Sequence, residues 1–157
     1  MTDKKFMNEA IELARDNVAK GGQPFGAVLV KDGKVLARAV NRMEADHDPT
    51  AHAELLALRK AGAAVGSTRL DGATVYASGQ PCPMCLAAMR IAGVTRIAYA
   101  YSNEDGAPFG LKASTVAAEL APPLEGQTWA SIQHLPPEDR PEPELYRIWA
   151  AKSAKQV

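Results

Sequence analysis

Two short segments constrain this chain more than anything else in it: His52-Ala53-Glu54 and Pro81-Cys82-Pro83-Met84-Cys85. Each falls where a predicted strand and loop lead into a predicted helix. Cysteines three apart on one helical turn share a face, so both sulfurs can reach one point. A helix N-terminus also favours thiolate over thiol. His52 and Glu54 are two apart, which in mid-helix would aim them roughly 200° away from each other. They converge only at an open helix end, and Pro49-Thr50 place such an end there. Two helix starts can therefore face one another.

The remaining patterns supply a frame for that arrangement. Phe6, Ala10, Leu13, Ala14 and Val18 recur at helical spacing between charged residues, an amphipathic first helix that Gly21-Gly22 ends. Two apolar runs, Phe25 to Val30 and Val35 to Val40, flank Lys31-Asp-Gly-Lys34 and read as a hairpin. Ala51 to Ala64 reads as a helix, Thr74 to Ala77 as a buried strand, Pro83 to Ala92 as a helix and Val94 to Tyr101 as a strand. Asn103 to Gly110 reads as a loop and Ser114 to Leu120 as a short helix. Trp129 to Leu135 is expected to form a last strand and Glu142 to Lys152 a last helix. This order predicts a central mixed sheet covered by helices.

The 157 residues suit a single domain, 1–157, and a hydrophobic content of 46% suffices for a core. Zero formal net charge argues against a protein that grips a phosphate backbone, so a nucleic-acid partner is not expected. Both cysteines of the chain sit in the one motif, which rules out a disulfide framework and fits a reduced, cytoplasmic setting. No apolar run approaches the roughly 20 residues that span a bilayer, and no membrane association is expected.

The donor set indicates the chemistry. His52, Cys82 and Cys85 give a zinc ion three protein ligands and leave a fourth position for water, the open coordination of a catalytic rather than a structural site. A structural zinc would want a fourth protein ligand, and His47 and His134 are the only other histidines, with no third cysteine. Glu54 stands within reach to take a proton from a metal-activated water. Against this, a Cys-x-x-Cys at a helix start also suits a thioredoxin-like redox pair, and a zinc-stabilised interaction module is the non-enzymatic reading. His47 reads as a solvated loop residue. Trp129, Tyr146 and Trp149 read as core or dimer interface.

The pattern His-x-Glu…Pro-Cys-x-x-Cys matches that of the zinc deaminases of nucleobases. With Pro24-Phe-Gly-Ala-Val-Leu-Val-Lys-Asp-Gly33, Asn41 and Asp48-Pro-Thr-Ala-His-Ala-Glu54, the chain resembles the cytidine deaminase-like superfamily, and within it the bacterial guanine deaminase type. The resemblance implies a three-layer α/β/α fold with a five-stranded mixed sheet. It implies hydrolytic deamination of a nucleobase or related amino-heterocycle, guanine or a similar aminopurine first, with cytosine-type, nucleoside or tRNA adenosine deamination as alternatives. It makes Glu54 the proton shuttle, sets Phe25 against the base, hydrogen-bonds Asn41 to the ring and the backbone of Ala53 to a ring carbonyl. It also implies a homodimer that exchanges C-terminal segments. The chain carries Lys112 and Ala113 where that branch has a second acid, with Glu104 and Asp105 the nearest acids, and Gln80 where a glutamate is common.

Overall fold

The apolar runs on either side of Asp32-Gly33 pair as an antiparallel hairpin, β1 (Gly26–Lys31) and β2 (Lys34–Val40). Both turn residues have positive φ, 49° at Asp32 and 72° at Gly33, which matches the twist of a two-residue hairpin. The structure, a computed structural model, describes residues 2–138 and 143–153. The chain divides into two units, Met1–Ala121 and Pro122–Val157.

In the first unit β3 (Thr74–Gly79) runs antiparallel to β1, and β4 (Arg96–Tyr101) runs parallel to β3. The order is β2-β1-β3-β4. Strand alternation divides the core into two clusters. Val28, Val30 and Tyr76 meet Phe6 and Ala10 of α1 (Thr2–Ala19) on one face, with the Phe6 and Tyr76 rings 5.3 Å apart. Ala27, Leu29 and Val75 meet α3 (Ala53–Val65) and α4 (Pro83–Ala92) on the other. Ala53, Ala57 and Ala61 repeat at four-residue spacing along α3 and are fully buried, so small side chains bring that helix close to the sheet. The result is the expected α/β/α layering.

The sheet has four strands among the described residues, not the expected five. Residues 129–135 form no strand. Alternate positions there mix Trp129 and Leu135 with Ser131 and Gln133, so neither face of an extended chain would be uniformly apolar. No β-ladder partner satisfies their backbone groups, and Trp129, Ile132 and Leu135 are exposed.

Two further differences are local. The stripe of α1 closes on Asn17, which is buried, while Val18 is 51% exposed. The expected loop after β4 contains a helical turn, α5 (Asn103–Gly106), and a 3₁₀ turn, Ala107–Phe109. Ser102 caps α5: its hydroxyl accepts from Asp105 N–H while Asp105 accepts from Ser102 N–H. A short helix α2 (Met43–Asp46) precedes α3, and α6 (Ser114–Leu120) ends the first unit. In the second unit, a 3₁₀ turn at Leu124–Gly126 is followed by α7 (Glu144–Ser153); the expected helix start at Glu142 lies outside the described residues. Trp129, Tyr146 and Trp149 are 56%, 75% and 69% exposed, so none is core within this chain.

Candidate active site

The helix that carries His52 begins later than its propensity suggests. Asp48 Oδ1 accepts from both the N–H and the hydroxyl of Thr50, at 2.8 and 2.7 Å, and this side-chain turn holds Thr50 out of the helix. His52 becomes the N-cap of α3, with extended backbone at φ −73° and ψ 151°. Glu54 then lies in the first turn. Cys82 is the extended N-cap of α4, Pro83 occupies the first turn, and Cys85 lies three residues on. The two helix starts face one another, as the motif spacing allows.

His52 Nδ1 lies 3.6 Å from Cys82 Sγ and 3.5 Å from Cys85 Sγ. A tetrahedral zinc bonded at roughly 2.0–2.1 Å to nitrogen and 2.3 Å to sulfur would set these atoms about 3.6 Å apart. All three ligand atoms fall within 4.8 Å of one another, and among the described residues this is the group of histidine, cysteine and acidic side chains disposed to hold a metal. The donor set and its separations fit zinc with one coordination position unfilled by protein.

The protonation chemistry of the ligands agrees. A hydrogen bond from Cys85, helped by His52, pulls the Cys82 thiol down to about 4, which favours its thiolate form. Cys85 is pushed up, first by the Cys82 sulfur that shares its proton, then by burial and Glu54. The Cys82 contact holds His52 above the usual imidazole value. A zinc ion bound here would take the place of that proton, since cysteine ligates zinc as thiolate. Glu54 is 7% exposed, and burial raises its pKa. Its Oε2 is 3.6 Å from Cys85 Sγ.

The site opens into a cavity of about 530 Å³ in the first unit, lined by His52, Glu54 and Cys82 at one end. This size is ordinary for a small-molecule site. Phe25 lines it, packed on Gly79: a Cβ on Gly79 would stand 2.8 Å from the Phe25 ring, so only glycine lets the ring lie there. Asn41 lines it too and is 4% exposed. Its N–H donates to Phe25 O at 3.0 Å, tying together the ends of the hairpin. Asn17 Nδ2 donates to Gln23 O at 2.8 Å and to Asn41 O at 3.0 Å, which fixes the segment entering β1. Ala53 is fully buried at the first position of α3 and is not among the lining residues.

Of the two acids considered for a second proton-transfer role, Asp105 lines the cavity and Glu104 does not. Asp105 Oδ2 accepts from Ser102 N and Oγ at 2.8 and 3.0 Å, so its carboxylate serves the cap of α5. His47 is exposed at the end of α2 and does not line the cavity. Sequence reasoning missed the α1 wall of Ile11, Ala14 and Val18, and also Phe109 of the β4–α6 connection. An apolar residue just outside the buried stripe of α1 was the available signal for the wall; Phe109 between Pro108 and Gly110 offered none.

Comparison with known proteins agrees with this geometry. Residues 1–101 match the cytidine and deoxycytidylate deaminase zinc-binding region. The chain is 41% identical over 129 residues to the guanine deaminase of Bacillus subtilis (strain 168), covering 82% of this chain and 83% of that protein. It is 40% identical over 104 residues to the tRNA-specific adenosine deaminase of the same organism, covering 66% of this chain and 65% of the relative. The X-ray structure of guanine deaminase from Bacillus subtilis superposes with a TM-score of 0.84 at 37% identity, over 94% of this chain and 93% of the other. A buried glutamate beside three zinc-competent ligands, on a matching α/β frame, places the chain in the cytidine and deoxycytidylate deaminase zinc-binding family.

Proposed function

We propose that this chain is a zinc-dependent hydrolase that removes the exocyclic amino group of a nucleobase or related amino-heterocycle, guanine or a similar aminopurine first, and releases ammonia. The observation that carries the reading is Glu54, buried at the cavity end beside the facing ligands His52, Cys82 and Cys85. The relatives named guanine deaminase match over most of both chains, which supports a purine base.

His52 Nδ1 and the sulfurs of Cys82 and Cys85 would hold the zinc ion, which when bound would supply Lewis-acid activation of water. Glu54 takes a proton from the attacking water and passes it to the ring nitrogen beside the amino-bearing carbon. Water oxygen bonds to that carbon, Glu54 then collects the remaining proton of the added hydroxyl and passes it to the amine, the C–N bond breaks, and a carbonyl and ammonia result. Burial suits Glu54 to this double duty, because a raised carboxyl pKa eases the return of the proton near neutral pH. Phe25 supplies a flat apolar wall for a planar ring, Asn41 a hydrogen bond to it, and the N–H of Ala53, without an intrahelical partner at the first position of α3, a donor for a ring carbonyl.

The same proposal treats residues 1–157 as one deaminase domain acting as a cytoplasmic homodimer. Ile97, Tyr99 and Tyr101 on β4 are partly exposed, 36%, 47% and 57%, which supports an interface; no helix among the described residues is long and apolar enough to cross a membrane. A tRNA adenosine deaminase is the second reading, favoured by the 40% match and opposed by the zero formal net charge. The test is ammonia release from guanine, cytosine, adenine and their nucleosides by zinc-loaded protein. Glu54→Ala should lower turnover by at least the roughly 10²–10⁴-fold typical of a lost general acid–base while keeping zinc. Wild-type turnover in that variant would overturn the mechanism, and an inert wild type with bound zinc would favour an interaction module.

A further inference from the structure

Three side chains lining the cavity offer it donors, Asn41, Gln80 and Lys112. Asn41 Oδ1 accepts from Met43 N–H at 3.1 Å, and Gln80 Oε1 accepts from Asn103 N–H at 2.9 Å. A backbone N–H can only donate, so the end of each carboxamide that meets it is oxygen, and the end left over is NH₂. Neither NH₂ has a hydrogen-bond partner among the described residues, yet no buried side-chain polar atom there is unsatisfied. Both are therefore accessible, and both residues line the cavity. Asn41 is 4% exposed overall and borders this cavity as well as a neighbouring one lined by Asn17 and Arg42. Lys112 adds a third donor to the lining, with no ion pair or hydrogen bond among the described residues. Glu54 apart, the carboxylate of the lining is Asp105, whose Oδ2 is taken by Ser102.

We propose that Gln80 and Lys112, with Asn41, determine specificity by selecting amino-heterocycles that carry oxo groups away from the departing amine and rejecting those with amino groups there. This rests on the deaminase reading and narrows its substrate class. An oxo group accepts what these side chains offer. An amino group in its place sets donor against donor and leaves the facing N–H groups without acceptors once substrate covers them, a mismatch that sites built to hydrogen-bond reject. The positive charge of Lys112 favours a carbonyl that gains negative character as the ring is attacked.

The test measures binding apart from turnover. Calorimetry on zinc-loaded Glu54→Ala protein compares guanine, 2-aminopurine and 2,6-diaminopurine, which share the 2-amino group and bear an oxo group (with the adjacent N–H), hydrogen or an amino group at the same ring carbon. The expected order of affinity is guanine, then 2-aminopurine, then 2,6-diaminopurine, with about tenfold or more between the extremes. Adding Gln80→Glu keeps the acceptor for Asn103 N–H and replaces the donor, so the guanine preference should shrink about tenfold. Adding Lys112→Met should shrink it as well, without loss of zinc or lowered melting temperature.

Equal affinities across the series, no measurable binding, or a preference unmoved by both substitutions would overturn the inference. Ammonia release by the wild type judges the parent reading separately. Turnover without oxo preference sinks the inference alone. Oxo-selective binding without turnover of any base sinks the deaminase reading and leaves the selectivity standing.

Discussion

Gly79→Ala probes the cavity wall through a single added methyl. The new Cβ would stand 2.8 Å from Phe25 Cε1 and 3.0 Å from Cδ1, whereas carbon atoms pack at about 3.5–4.0 Å. The ring must therefore move by roughly 0.5–1 Å. It is only partly buried and lines the cavity, so it has room to swing into the space a planar substrate would use. Overpacking of this kind costs about 1–3 kcal/mol when the surroundings are rigid, and a ring that can yield holds the cost toward the low end. The functional effect should be larger, since a misplacement of about 1 Å near reacting groups can cost on the order of 10²-fold. Steady-state ammonia release should show a raised KM and a kcat/KM lower by one to two decades, roughly. Chemical denaturation should show a loss of about 1 kcal/mol, with zinc content unchanged. A kcat/KM within twofold of the wild type would refute the placement of Phe25 against the substrate.

Other perturbations test the core, the metal site and the acid limb of stability. Leu29, fully buried between the sheet and α3, should lose about 2–5 kcal/mol on Leu29→Ala in urea melts. Cys85→Ala should abolish retention of zinc, measured by atomic absorption, and an active chain that still lacks zinc would contradict the assigned ligand set. Asp3 accepts from Arg96 at 2.9 and 2.7 Å and from Tyr76 Oη at 2.5 Å, and the Arg96 bond, then the Tyr76 bond, hold its carboxyl down at about 2 against an ordinary 3.8. A depressed folded-state pKa adds stability that is complete above the unfolded value and disappears as pH falls through the folded one. Asp3→Asn should therefore lower the melting temperature at pH 5–7, with the two curves converging between about pH 4 and pH 2; a constant offset down to pH 2 would exclude this pairing.

Much of the site was legible because its geometry is local. A Cys-x-x-Cys spacing places both sulfurs on one helical turn whatever the rest of the chain does, and His-x-Glu needs an open helix end, which Asp48 and Thr50 provide. The Asp32-Gly33 hairpin was legible for the same reason, since a two-residue turn with positive φ pairs Lys31 with Lys34, although a register shift between Leu29 and Val30 further along was not. The expectation for α1 missed by one residue at its end. Helical periodicity ranked Val18 above Asn17, yet Asn17 is buried because two carbonyls, those of Gln23 and Asn41, await its Nδ2. Nothing in the local sequence of α1 states that those carbonyls will be there.

The fifth strand failed for a related reason. A strand is an agreement between backbones, and a segment of mixed polarity such as 129–135 becomes one only where a neighbouring strand accepts it in register.

By itself, then, the sequence pointed to the candidate zinc ligands and proton shuttle, the α/β class and the succession of the first four strands along the chain, carried largely by spacings within one helical turn, one hairpin or one amphipathic face. Tertiary structure alone decided which walls enclose the cavity, that Asp105 is committed to a helix cap, and that Gln80 and Asn41 leave their NH₂ ends free. Those outcomes depend on partners 2–23 residues away along the chain and on three-dimensional neighbours. A carboxamide is symmetric in the sequence code, and only the backbone N–H that meets one end determines what the other end offers.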